Sequence, residues 1–97
     1  MKPTISYRDD LLRRLKEPEY AAAYLNKCLE DDDDGGGFLL ALRDVAEAHG
    51  GLRPLAKKTD LNREHLFRML SRSGNPQLHS LRQLVDAMGM KLVLQPV

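Results

Sequence analysis

Apolar residues recur every three or four positions through most of the chain, which is the period of an amphipathic helix. This pattern predicts five to six helices, over Tyr7–Lys16, Glu17–Glu30, Phe38–His49, Arg53–Lys58, from Asn62 onward, and over Gln77–Met88. The apolar stretch Lys91–Gln95 lies between a glycine and a proline and is typical of a short β-strand. We therefore expect an all-α fold with one short strand at the C-terminal end.

The run DDDDGGG at 31–37 is the clearest break in the helical pattern, and we expect a flexible hinge there. The aspartates of this run could also help to cap the helix that follows. An EF-hand loop needs alternating oxygen ligands and a glutamate at its twelfth position, and this run has neither, so no metal site is expected. The break divides the chain into an N-terminal helical extension, 1–34, and a second domain, 35–97.

Two short helices near the middle of the chain form the outline of a helix-turn-helix. The first ends at Lys58, a turn follows at 59–61, and the side chain of Asn62 can cap the second helix. Leu66 of the second helix is expected to face the core, and Arg63, His65 and Arg68 are expected to point outward. This pattern favours DNA binding, although the same geometry occurs in helical proteins that bind no nucleic acid.

The charge is unevenly distributed between the two halves. Residues 1–49 carry seven Lys/Arg against eleven Asp/Glu, a balance of −4, whereas residues 50–97 carry eight against three, a balance of +5. Halves of opposite sign indicate two different partners. The basic half suits a phosphate backbone, and the acidic half suits a basic protein or simply solvent.

The compartment is predicted from the cysteine count and from the N-terminal residues. The single cysteine, Cys28, allows no internal disulfide, and the first ten residues lack an apolar signal region. No apolar run approaches the length of a membrane span. We therefore expect a cytoplasmic protein without a membrane partner.

The second half of the chain, from about Phe38 to Val97, resembles the lambda-repressor-like (Cro/cI-type) helix-turn-helix domains. The matching features are Leu55-Ala56, the turn at Asp60-Leu61, Leu66, Asn75-Pro76 and the leucine spacing that leads to Ala87-Met88-Gly89. Asp60 stands where that family usually has a turn glycine. An aspartate can adopt the left-handed conformation that such a turn needs.

The whole chain is similar to the probable addiction-module antidote proteins, the HigA-like antitoxins of type II toxin–antitoxin pairs. The matching segments are Tyr7-Arg8-Asp9, Pro18 to Leu25, Phe38 to Ala46, Asn62 to Arg68 and Gly74-Asn75-Pro76. The resemblance implies a homodimer that binds its own promoter and neutralises a co-encoded toxin of the RelE/ParE type. The toxin would be the nuclease, and this chain would do no chemistry and need no cofactor. Residues 1–34 are then a candidate toxin-binding region.

The resemblance also implies which side chains reach base edges, since Arg63 and Glu64 stand at the start of the recognition helix. Arg63 could bind guanine through O6 and N7, and Glu64 could either accept from cytosine N4 or act only as a partner of the helix dipole. His65 and Arg68 are candidates for further base or phosphate contacts. Phe67 is interpreted as a core residue rather than as a contact to a thymine methyl.

Four more basic residues are candidates for phosphate contacts, which fix the register of a protein on DNA without reading its sequence. They are Arg53, Lys57, Lys58 and Arg72. A solvated basic face is the alternative for each of them. Dimerisation is assigned to Leu92, Val93 and Leu94, because a lone strand can pair with the same strand of a second copy.

Two other functions compete with the antitoxin hypothesis. The chain could be a protein-binding adaptor whose helix-turn-helix has no DNA role, or a stand-alone phage-type repressor without a toxin. An enzyme is not expected, because His49, His65 and His79 are scattered without metal-ligand spacing and no nucleophile–base set is visible.

Overall fold

The computed structural model describes residues 6–31 and 33–97. Within them the chain forms six helices: α1 (Tyr7–Leu15), α2 (Pro18–Glu30), α3 (Gly36–Ala48), α4 (Leu52–Lys58), α5 (Arg63–Met69) and α6 (Leu78–Ala87). Every predicted helix is present, and no predicted end differs from the observed one by more than two residues. The expected all-α class is therefore confirmed. None of the helices in these residues is both long and apolar enough to cross a membrane.

The first two helices begin where their sequences provide a start signal. The side chain of Ser6 accepts a hydrogen bond of 3.0 Å from the backbone N–H of Asp9, which caps α1. Pro18 occupies the first turn of α2, where its missing N–H costs nothing and its fixed φ suits the helix. Lys16 and Glu17 form the short connection between the two helices.

Helix α3 lies at the centre of the fold and packs against α1, α2 and α4. Before it, Gly35 adopts a left-handed conformation with φ of 82°, and Asp34 Oδ1 accepts a hydrogen bond of 2.9 Å from the N–H of Gly36. Asp34, one of the aspartates of the 31–37 run, therefore caps α3, as predicted. A Cβ on Gly36 would lie 2.7 Å from the backbone oxygen of Arg72, so only glycine fits where α3 meets the loop after α5.

One hydrophobic core joins all six helices. Its largest fully buried side chains are Leu15, Leu42, Val45, Leu55, Leu66, Leu70, Leu84 and Met88. Ala21 and Leu25 of α2 belong to the same core, so both N-terminal helices are packed against the helices that follow them. The division into domains 1–34 and 35–97 stays a prediction.

Some apolar residues on the predicted helical stripes lie outside this core. Leu29 and Leu78 are 53% and 65% exposed, and Tyr20 is 40% exposed. Each lies in the first or last turn of its helix. At these helix ends the apolar face continues beyond the part that the neighbouring helices cover.

The C-terminal segment differs from its prediction. Gly89, with φ of 83°, ends α6 while the N–H of Met90 donates to the carbonyl of Val85 at 3.0 Å. Residues 91–97 that follow are exposed and irregular. The strand predicted over Lys91–Gln95 is not confirmed, because residues 6–31 and 33–97 form no strand and so offer this segment no partner for a ladder of hydrogen bonds.

Candidate nucleic-acid interface

Helices α4 and α5 pack against each other across a turn that side chains hold in place. Thr59 Oγ1 donates to the carbonyl of Leu55 at 2.9 Å and accepts from the N–H of Leu61 at 3.2 Å. Gln83 of α6 donates from Nε2 to Asp60 Oδ2 at 3.4 Å. The left-handed conformation expected at Asp60 is wrong, since no described residue other than glycine has a positive φ. The hydrogen bonds of Thr59 stabilise the turn without a residue in the left-handed conformation.

The start of α5 is fixed by the predicted cap. Asn62 Oδ1 accepts a hydrogen bond of 2.7 Å from the backbone N–H of His65, and Glu64 lies in the first turn. Leu66 and Met69 bury the inner side of the helix. Helix α5 is therefore held at its start and along one face, and its other face is open to solvent.

That outer face of α5 forms one side of an open groove. The groove is lined by Asn62, Arg63, Glu64, Phe67 and Arg68. The four helical positions follow the spacing i, i+1, i+4 and i+5, which places them on one face. The structure thus brings together three of the predicted base-contacting residues, Arg63, Glu64 and Arg68.

A second groove connects α4 to α5. It is lined by residues 50–54 and by Arg63, so Arg53 at the start of α4 and Arg63 at the start of α5 share it. Arg63 lines both grooves. The two cations therefore lie on the same side of the paired helices.

Phe67 is not a core residue, and the prediction that it is buried is wrong. Its side chain is 53% exposed and lines the groove on α5. Leu66, Met69 and Leu70 already occupy the inward side of this short helix, which leaves Phe67 on the outside. The guanidinium carbon of Arg43, on α3, lies 4.8 Å from the centroid of its ring.

The remaining predicted residues line neither of these two grooves. His65, which was expected to point outward, is half-buried, and Lys57 and Lys58 are exposed in the last turn of α4. Arg72 is exposed in the loop after α5, where its aliphatic part lies beside Gly36. Their phosphate contacts stay predictions.

The cations of the second half form no ion pairs within the described residues. These eight residues are Arg53, Lys57, Lys58, Arg63, Arg68, Arg72, Arg82 and Lys91. The N-terminal helices differ, because Arg8 pairs with Asp44 and Glu47, Arg13 and Arg14 pair with Asp10, and Lys27 pairs with Asp31. Although Glu64 lies on the same face, none of the cations around α4 and α5 is held in an ion pair within the described residues, and their charge is available to an anionic partner.

His49, the residue that ends α3, does not add to this charge. Its Nε2 atom is buried and has no hydrogen-bond partner in the part of the chain that the structure describes. Burial, and after it the charge of Lys58, hold the pKa of His49 below its usual value. The imidazole is therefore neutral at pH 7.

Two residues of this surface were not identified from the sequence as part of it. Thr59 holds the turn, and the signal that could have identified it is its i, i+4 spacing from Leu55. Arg43 has no such signal, because it lies on another helix, 24 positions before Phe67 in the sequence. Among the described residues, no three metal-ligating side chains come together.

Comparison with known proteins assigns the chain to a family over almost its full length. A family model described as probable addiction module antidote protein matches residues 7–96. An uncharacterized protein of Haemophilus influenzae is 29% identical over 86 residues, which cover 89% of this chain and 87% of that protein. No solved structure matches the chain.

Proposed function

We propose that this chain, which belongs to the family of probable addiction module antidote proteins, is the antitoxin of a type II toxin–antitoxin module. It neutralises a RelE/ParE-type toxin and, as a dimer, represses its own operon in the cytoplasm. It acts by binding alone and carries out no chemistry. The observation that carries the DNA-binding part is the group of exposed, unpaired cations around α4 and α5.

In this proposal α4 and α5 are a helix-turn-helix, and α5 enters the major groove. Arg63 and Arg68 project from the open face of α5 next to Glu64, where planar guanidinium groups can form two-point contacts with guanine. Arg53, at the shared edge of α4 and α5, contacts phosphate. Lys57, Lys58 and Arg72 add phosphate contacts at the margin of the same surface.

The toxin docks on the acidic N-terminal half. Residues 1–49 carry a balance of −4, and Glu17, Glu19 and Glu30 of the α2 region are exposed and form no ion pair within the described residues. A toxin that cuts RNA tends to be basic, so its surface complements these carboxylates. Binding there leaves the face of α5 open to DNA.

The dimer forms through the C-terminal segment. Leu92, Val93 and Leu94 are 45%, 64% and 99% exposed. Pairing with the same segment of a second copy would bury these side chains and supply the backbone partners that residues 6–31 and 33–97 do not offer. Deleting residues 91–97 removes only exposed residues, so light scattering should detect a monomer that keeps its helical circular dichroism. An unchanged dimer would assign the interface elsewhere.

The test of DNA binding is a gel shift with the duplex upstream of the protein's own gene and a scrambled duplex of the same composition. We expect tighter binding to the upstream duplex. Equal binding to both would favour the protein-binding adaptor. Co-expression with the product of the neighbouring gene separates an antitoxin from a stand-alone repressor, since only an antitoxin should co-purify with that product and relieve its toxicity.

A pair of matched charge variants tests the docking surface on the full chain. Glu19→Gln with Glu30→Gln removes two exposed acids from α2, and Glu64→Gln with Asp86→Asn removes two from the second half. Only the first pair should weaken capture of the toxin, most strongly at low salt, because exposed charges are screened by salt. Equal effects of the two pairs would contradict docking on the N-terminal half.

A further inference from the structure

The exposed ring of Phe67 differs chemically from the rest of the outer face of α5. Its neighbours in the groove are Arg63 and Arg68, which form no ion pair within the described residues, together with Asn62 and Glu64. More than half of this large apolar side chain is open to water. A ring placed among cations suits a ligand that offers negative charge and a small apolar group side by side.

Arg43 determines how the ring is presented. Its guanidinium lies 4.8 Å from the centroid of Phe67, within the range of a cation–π contact. Arg43 belongs to α3, the central helix of the fold, so the contact ties the exposed ring to a rigid element outside the α4–α5 pair. The ring therefore has the guanidinium over one face, and Phe67 still lines the groove on α5.

Duplex DNA offers the matching combination in its major groove. The C5-methyl group of thymine is an apolar group on a base edge there, and neighbouring guanine edges offer the O6 and N7 acceptors that Arg63 and Arg68 would meet, between the negatively charged phosphate backbones. We propose that Phe67 contacts a thymine methyl group, with Arg43 as the residue that positions its ring. This inference rests on the proposed function and adds a sequence preference that hydrogen-bonding side chains do not supply.

The experiment compares two forms of the upstream duplex, one amplified with dTTP and the other with dUTP. The two forms differ only in the thymine methyl groups. The wild-type chain should bind the thymine form more tightly, by roughly fourfold for each contacted methyl, the value expected for one buried methylene. A scrambled thymine duplex serves as the reference for non-specific binding.

Variants of Phe67 connect the preference to this ring. Phe67→Ala should bind the thymine and uracil forms equally, and Phe67→Leu, which keeps an apolar side chain, should retain part of the preference. Both variants should stay folded, since the ring is largely exposed, and thermal melting checks this. Phe67→Ala with an undiminished preference would overturn the inference.

Variants of Arg43 test whether this residue positions the ring of Phe67. Arg43→Ala should reduce the ratio of the affinity for the thymine duplex to the affinity for the uracil duplex. Arg43→Lys should restore this ratio in part, because an ammonium can also lie over the ring. Arg14 provides the matched control, since its guanidinium lies 6.0 Å from the Tyr20 ring on the N-terminal helices. Arg14→Ala should leave the ratio unchanged, and an equal loss in both variants would overturn the role of Arg43.

The outcomes separate the inference from the proposed function. Equal binding of the wild type to upstream and scrambled thymine duplexes would overturn both. Preferential binding to the upstream duplex, with no difference between its thymine and uracil forms, would overturn the inference and leave the DNA-binding function intact. Phe67→Ala that loses toxin capture and keeps the thymine preference would assign the ring to a protein contact instead.

Discussion

The hydroxyl of Tyr24 on α2 donates a hydrogen bond of 3.3 Å to the carboxylate of Asp44 on α3. The other oxygen of the same carboxylate accepts from Arg8 on α1 at 3.0 Å. Arg8 also pairs with Glu47, one turn further along α3. Asp44 therefore links the two N-terminal helices to the helix at the centre of the fold.

Replacing Asp44 with Ala should destabilise the protein, because the Tyr24 hydroxyl loses its acceptor and Arg8 keeps only Glu47. The side chain of Asp44 is only 23% exposed, and Tyr24 is half-buried, so the free energy of unfolding should fall by about 1–2 kcal/mol. Glu47→Ala is the control, since Glu47 is 51% exposed and, among the described residues, pairs only with Arg8. Urea denaturation measures both variants. A larger loss for Glu47→Ala would contradict the linking role of Asp44.

Tyr24 should ionise late in an alkaline titration. Burial, followed by the charge of Asp44, raises the pKa of Tyr24 to about 12. The unfolded value is about 10, so the folded state favours the neutral hydroxyl. The contribution of Tyr24 to the free energy of unfolding is therefore complete below about pH 10 and is lost as the pH rises towards 12. Subtracting the phenolate absorbance of Tyr24→Phe from that of the wild type isolates this group, and a difference curve centred near pH 10 would refute the expectation.

The cap of α5 should be measurable by substitution at Asn62. Asn62→Ala removes the oxygen that accepts from the N–H of His65 and should lower the free energy of unfolding by about 1 kcal/mol. Asn62→Asp keeps an acceptor and adds a negative charge at the start of the helix, so it should be at least as stable as the wild type. Thermal melting compares the three proteins. Equal loss in both variants would mean that the side chain matters for another reason.

Arg63 should contribute sequence specificity. In the proposed dimer, two copies related by a twofold axis would place their α5 helices in successive major grooves roughly 34 Å apart, so the operator should be an inverted repeat. Arg63→Ala should cost about 1–3 kcal/mol of binding free energy on the upstream duplex and much less on a scrambled duplex. Fluorescence titrations on both duplexes measure this difference. An equal loss on the two would make Arg63 a phosphate contact.

Lys58 should contribute affinity without sequence specificity, because a phosphate contact carries no sequence information. Lys58→Ala should weaken binding to upstream and scrambled duplexes alike and flatten the dependence of affinity on salt. Titrations at two salt concentrations test this. A change in the specificity ratio, with an unaltered salt slope, would exclude a phosphate role.

Much of the local structure was predictable because its causes lie within a few residues. The apolar period determined the six helices, the Asn62 side chain determined the start of α5, and Gly89 determined the end of α6. The exposed side of α5 also followed from its own sequence, with Arg63 and Arg68 on the open face.

The conformation of the C-terminal segment could not be predicted from local sequence. Its apolar residues are typical of a strand, yet a strand exists only when a second one pairs with it, and the described residues supply none. Local sequence therefore predicted a tendency to form a strand, and the other described residues provide no second strand to pair with it.

The sequence by itself determined which positions are helical and where the charge is concentrated. Only the tertiary structure decided that Phe67 is exposed beneath Arg43, that Asp44 joins α1 and α2 to α3, and that Gly36 fits against the backbone of Arg72. The physical reason is that helical periodicity identifies the faces of each helix and carries no information about which other helix will cover them. Contacts between distant positions depend on how the helices share one core, and that arrangement is settled by packing.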